Sequence, residues 1–241
     1  MSGILLRYDK PMFRGSLVRR YKRFLADVVL EGTGETVTVH VPNSGSMTGC
    51  SQPGSEVLVS DSLNPDRKLR FTLELVRVAP GPYGWAGVNT ALPNALVSEA
   101  IERGKVAGLS GYESLRREVT VEKGTRLDIV LEHGRRGKCF VEVKNVTLGR
   151  DGIACFPDAV TVRGKKHLEV LARLRENGER AVIFFLVQRP DCHGFSTADD
   201  IDPEYGKTLR QVLAQGVELV AYRSRLSIEG AALDAPVAYV G

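Results

Sequence analysis

Three charged side chains, Asp128, Glu142 and Lys144, interrupt segments otherwise dominated by Val, Ile and Leu within the stretch RLDIVLEHGRRGKCFVEVK, residues 126–144. Burying one charge is costly, and burying two carboxylates side by side is worse. A divalent cation such as Mg²⁺ or Mn²⁺ removes the conflict. Mg²⁺ takes carboxylate oxygens, keeps several waters and turns one of them into a potential nucleophile. A lysine two residues beyond a metal-binding glutamate can hydrogen-bond that water or stabilise charge on a phosphoryl oxygen. Asp128 and Glu142 are therefore the expected metal ligands, and together with Lys144 the expected catalytic set for phosphodiester cleavage. The competing reading is a plain Glu142–Lys144 ion pair on an exposed sheet face.

Such a set works only if a β-hairpin assembles it. Residues 127–132 and 139–144 read as strands joined by a turn containing Gly134 and Gly137. Side chains two apart share a strand face, so Glu142 and Lys144 project together. A hairpin folded about Arg135 opposes residues whose numbers sum to 270, which sets Asp128 across from Glu142 with Cβ atoms about 5 Å apart. An odd sum would turn Asp128 away. Upstream, residues 93–103 carry Leu96, Val97, Ala100 and Ile101 at helical spacing, between Pro93 and Gly104. Glu99 borders that apolar stripe and either looks inward as a further catalytic acid or reaches back to water.

Downstream, strand and helix alternate. A strand is expected over 115–121, a helix from a cap at Asp158 to Glu176, a strand buried on both faces over 181–187, a helix opened by Asp202-Pro203, and a strand over 217–222. This order describes a mixed sheet sandwiched by helices. Arg163, Lys165 and Lys166 fall in the first turns of the helix after the Glu-x-Lys strand. Phosphate could meet both charge and free backbone N–H groups there; a solvated basic face is the alternative. His167, on the apolar stripe of that helix, reads as a half-buried, hydrogen-bonded histidine without a catalytic role.

The rest of the chain sets bounds. Its 241 residues suffice for one large or two small domains, and 43% hydrophobic with 26% charged residues is ordinary for a soluble globular protein. No apolar run approaches the roughly 20 residues of a membrane helix. The start, MSGILLRYDK, lacks the marks of an export signal, and four scattered cysteines without a CxxC pair favour a reducing cytoplasm. Residues 1 to about 88 look all-β: a long bent strand over 17–30, then shorter ones over 36–42, 56–60, 68–78 and 85–89, with glycine-marked turns. That pattern fits a small barrel of the oligonucleotide-binding (OB) type. The domains expected are 1–88 and 89–241. Residues 1–23 hold seven Lys/Arg against one acid, with Phe13, Tyr21 and Phe24 close by. Arg19, Arg20, Lys22 and Arg23 are thus candidates for contacting nucleic acid, with DNA the expected partner, although a charged edge strand that avoids mispairing reads the same way.

Helix, three strands, helix, strand, with Asp on the second strand and Glu-x-Lys on the third, resembles the core of the PD-(D/E)xK nucleases, except that Leu127 rather than Pro precedes the Asp. The resemblance implies metal binding by Asp128 and Glu142, water activation by Lys144, and a helix acid, here Glu99. A second resemblance covers nearly the whole chain. FRGSLVRRYKRFLADV, VHVPNSGSM, NTALPNALVSEAI, TRLDIVL, FVEVKNVTL and FPDAVTVRGKKHL are similar to the sugar fermentation stimulation protein family. It implies an OB-like domain followed by a nuclease-like domain, and DNA binding linked to regulation of sugar-utilisation genes. Whether the site cuts, or survives in a non-catalytic regulator or an RNA-binding module, stays open at this level.

Overall fold

The computed structural model describes residues 3–241; Met1 and Ser2, the first residues of the expected barrel domain, lie outside the described residues. Strand β1 (Leu6–Arg7) does not join the barrel. It pairs antiparallel with residues 230–231 at the edge of the C-terminal sheet, so Leu6 and Arg7 extend that sheet.

The barrel is formed by β2 (Met12–Tyr21), β3 (Leu25–Leu30), β4 (Thr36–His40), β5 (Glu56–Asp61) and β6 (Phe71–Arg77), with β7 (Trp85–Gly87) added alongside β6. The order β4-β3-β2-β5-β6 is closed by a parallel β4–β6 contact, His40 against Thr72. The single bent strand expected over 17–30 is instead a hairpin. Lys22 and Arg23 take φ of 48° and 64° in the turn between β2 and β3, and polar, exposed side chains at those positions leave the chain free to reverse. The valines of β4 alternate as expected, with Val39 buried in the barrel core beside Val28, Val57, Val59 and Leu73.

After β7, α1 (Leu92–Glu102) leads into the antiparallel run β8 (Ser114–Glu122), β9 (Thr125–His133) and β10 (Gly137–Val146). Then come β11 (Leu148–Arg150), β12 (Ile153–Phe156), α2 (Val162–Glu176), β13 (Arg180–Val187), β14 (Gly194–Thr197), α3 (Pro203–Ala214), β15 (Glu218–Leu226), β16 (Gly230–Pro236) and β17 (Ala238–Tyr239). The main sheet has the order β1-β16-β15-β13-β10-β9-β8, with β10, β13 and β15 parallel at its centre. Such a centre must be covered on both faces, and β13, RAVIFFLV, is buried from Ala181 to Val187. Helix α1 and barrel residues Leu58, Leu75 and Trp85 cover one face; α2 and α3 cover the other. A small second sheet, β11-β12-β14-β17, uses segments to which the sequence pattern assigns no element, because strands of two to four residues leave no periodicity to detect.

Helix α2 starts at Val162, not after Asp158. Thr161 caps it by accepting from Gly164 N at 3.0 Å. Asp158 is spent elsewhere, as described below. Helix α3 is capped by Asp202 as expected. Among the described residues no helix is long and apolar enough to cross a membrane.

Candidate active site

The β9–β10 hairpin takes the register of a hairpin folded about Arg135: His133 faces Gly137, Leu131 faces Cys139 and Ile129 faces Val141, each pair summing to 270. There the ladder stops. Asp128 Oδ2 accepts from Val143 N at 2.7 Å, so a side chain takes over where a strand–strand bond would have continued. On the other side, Arg117 pairs with Ile129 and Val119 with Leu127, but Glu118 and Asp128 between them are left out, and Glu118 has φ of 55°. Alternation slips at the same place. Leu127 packs with Val130 and Phe140, whereas Ile129 packs with Leu131 on the opposite face. The strands splay at Asp128, and a cleft of about 390 Å³ opens in the gap.

Asp128, Glu142 and Lys144 line this cleft together. Glu142 is 2% exposed. Its Oε1 accepts from Lys144 Nζ at 2.6 Å and from His167 Nδ1 in a short contact; its Oε2 is buried with no hydrogen-bond partner. A carboxylate oxygen buried alone is expensive, so an unfilled lone pair on a residue that lines a cleft is what a ligand site looks like from the protein side. Burial, and next the charge of Glu142, push the Asp128 carboxyl up to about 6 against the pull of the Val143 N–H, Lys144 and Asn94. Burial opposes ionisation of Glu142 as well, but Lys144 and His167 outweigh it and hold its carboxyl below the usual glutamate range. The two acids are thus driven apart in proton affinity, as happens where two carboxylates share one site.

Glu99 does not join them. It lies on α1 but pairs with Arg103 Nε at 2.5 Å, one turn along the helix surface, and does not line the cleft. The α1 residue that reaches the site is Asn94, whose Nδ2 donates to Asp128 Oδ1 at 2.7 Å and approaches Glu118 Oε1 at 3.3 Å. Asn94 follows Pro93 at the helix start, where helix-formation rules explain an Asn without assigning it a partner. His167 also belongs to the site. Nothing in its spacing separated it from a core histidine; only its packing against β10 brings it to Glu142.

The basic candidates divide. Arg163 lines the cleft and, with Lys166 and Arg126, an adjoining basic groove. Lys165 turns instead to α3 and pairs with Glu204 at 3.0 Å. On the barrel, Arg19 pairs with Asp27 at 2.8 Å and stacks over Tyr21. Arg20 serves the backbone. It donates to the carbonyls of Arg23, Asn43, Gly45 and Ser46, fixing the loop after β4. Lys22 and Arg23 stay exposed at the turn.

The cleft is built from both units, since Asn43, Ser44 and Gly45 of the barrel line it. Asp158 makes the join: its Oδ2 accepts from Met47 N at 3.0 Å and Ser46 Oγ at 3.3 Å. Gly45 is required here because a Cβ would stand 2.5 Å from that carboxylate. Residues 91–230 match the family model described as the sugar fermentation stimulation protein RE domain, and residues 18–88 match that of the SfsA N-terminal OB domain.

The chain belongs to the sugar fermentation stimulation protein family. A sugar fermentation stimulation protein homolog of Pelobacter propionicus is 58% identical over 91% of this chain and 93% of its own length. One from Paramagnetospirillum magneticum is 51% identical over 96% and 97%. The solved structure of Pyrococcus furiosus SfsA in complex with Ca²⁺ superposes with a TM-score of 0.88 at 25% identity, covering 99% of both chains. The OB-like barrel followed by a mixed sheet between helices is therefore the architecture of this family.

Proposed function

We propose that this member of the family is a divalent-metal-dependent phosphodiesterase acting on nucleic acid, with DNA as its substrate. The observation that carries the proposal is the pairing of Asp128 and Glu142 in one cleft, with Glu142 Oε2 buried and unpartnered. Asp128 and Glu142 would hold Mg²⁺ or Mn²⁺; two carboxylates suit a cation that keeps most of its ligands as water and substrate oxygens. The Ca²⁺ named with the Pyrococcus furiosus structure supports a cation of that class. When bound, the metal supplies Lewis-acid activation of water and neutralisation of phosphoryl charge.

The remaining work falls to the chain. Lys144 Nζ, with its side chain 12% exposed, is held at Glu142 and points a charge into the cleft, where it orients a water or stabilises a phosphoryl oxygen. Asn94 and the Val143 N–H fix both oxygens of Asp128, and His167 fixes Oε1 of Glu142, so the acids are set before substrate arrives. Exposed Arg163 at the rim attracts the phosphate chain.

One observation favours a second reading, a DNA-binding regulator of sugar-utilisation genes that keeps the fold without turnover. Lys144 and His167 already compensate Glu142, so its charge is tolerated without a cation. Incubating the protein with single- and double-stranded DNA and RNA, with and without Mg²⁺ or Mn²⁺, separates the two. Metal-dependent cleavage that falls by orders of magnitude in Asp128→Ala and Glu142→Ala is expected. Metal-induced thermal stabilisation without cleavage of any strand selects the regulator, and the absence of both effects refutes the metal site.

A further inference from the structure

Three exposed apolar side chains, one of them lining the cleft and two on segments joined to its wall, are not used by the catalytic set. Val160 and Val162 are 70% and 81% exposed on the segment leading into α2, and Val160 lines the cleft mouth. Phe24, 45% exposed, stands beside Lys22 and Arg23 at the β2–β3 turn. These positions are tied into one edge. Arg20 joins the turn to the loop after β4 through the carbonyls of Arg23 (3.0 Å) and Ser46 (2.7 Å), and Asp158 joins that loop to the valine segment. Beyond the valines the edge runs on into Arg163 and Lys166, which form no direct ion pair among the described residues although Lys166 acts on Glu122 at longer range, and Arg126, loosely paired with Glu118 at 3.7 Å.

From this edge we infer that the cleft receives nucleic acid as an unpaired strand, a reading that rests on the nucleic-acid function proposed above. A duplex presents phosphates and polar groove edges at its surface and keeps its base faces stacked inside. Cations alone would suit either form. Between the two forms, exposed apolar groups beside cations favour a strand whose base faces are free, with bases against Phe24, Val160 and Val162 and phosphates against the lysines and arginines. The depth of the site agrees: Glu142 is 2% exposed, so a phosphate must be carried inward to reach it.

The test is fluorescence anisotropy of the full chain in EDTA, where the proposed chemistry is off, with a labelled DNA single strand, its blunt duplex, and the duplex carrying an unpaired tail. The single strand and the tailed duplex are expected to bind about tenfold tighter than the blunt duplex, the scale of one good base contact. Val160→Ser with Val162→Ser, exposed positions whose change spares the core, should remove most of that preference while leaving blunt-duplex affinity and salt dependence unaltered. Arg163→Ala with Lys166→Ala should instead lower the salt slope for the single strand by roughly 0.7 per charge. Equal binding of single strand and blunt duplex overturns the inference, as does a valine variant that weakens both alike. Adding Mg²⁺ or Mn²⁺ then isolates the other reading. Strand preference without cleavage removes the hydrolase and leaves the unpaired-strand site standing; cleavage without strand preference does the reverse.

Discussion

At the scale of single residues, the pair Asp128 and Glu142 carries an electrostatic cost that pH should expose. Burial raises the Asp128 carboxyl to about 6 from an ordinary value of 3.8. Between these values the folded protein holds a proton that the unfolded chain has released, so stability falls as pH rises from about 4 to above 6. Two units correspond to at most about 3 kcal/mol. Urea midpoints of the metal-free protein should show this decline, and Asp128→Asn, uncharged throughout, should flatten it. Parallel profiles for the two proteins would mean that Asp128 is not desolvated as the cleft geometry requires. A metal that binds the folded state should raise the wild-type midpoint most at the high end of the window, where the carboxylate is ionised.

At the scale of elements, α1 contributes through its first turn. Glu99 forms an exposed i,i+4 pair with Arg103, worth about 0.3–0.5 kcal/mol. Glu99→Ala should therefore leave melting temperature and cleavage close to wild type. Asn94→Ala removes the donor to Asp128 Oδ1 and leaves that oxygen without its partner, at a cost of roughly 1–3 kcal/mol. It should also lower cleavage, because Asp128 is then free to turn. If Glu99→Ala proves the more damaging of the two, the helix acts on the site by another route. The interrupted pairing of β8, β9 and β10 gives α1 this access: with Glu118 and Asp128 out of the ladder, a side chain from the helix reaches between strands that would otherwise be closed.

At the scale of the whole molecule, the barrel supplies a wall of the cleft as well as a basic surface, and its arginines and lysines should respond differently to mutation. Lys22→Ala with Arg23→Ala removes exposed cations and should lower the salt slope of binding by between one and two while leaving the fold intact. Arg20→Ala should lose stability instead, since four backbone carbonyls lose a shared donor. Chemical denaturation and salt titration of the two proteins check this directly. A purely electrostatic Arg20 would flatten the slope without shifting the denaturation midpoint.

The sequence alone determined the features that rest on local rules. Period-two alternation in Val37–Val41, the uninterrupted run Ala181–Val187 and the Asp202-Pro203 cap each dictate an element within a few residues, and the 270 register is the one a hairpin folded about Arg135 would have. It also showed that Asp128, Glu142 and Lys144 could meet, because charge in an apolar hairpin is legible without knowing what surrounds it. Tertiary structure decided everything that depends on a distant partner. The hydrogen bonds of Asn94 to Asp128, of His167 to Glu142 and of Arg20 to the loop after β4 all come from packing between elements far apart in the chain. Asp158 shows why. An aspartate before a helix satisfies the capping pattern perfectly well, but Met47 N, more than a hundred residues away, offers it a hydrogen bond that no local rule can anticipate.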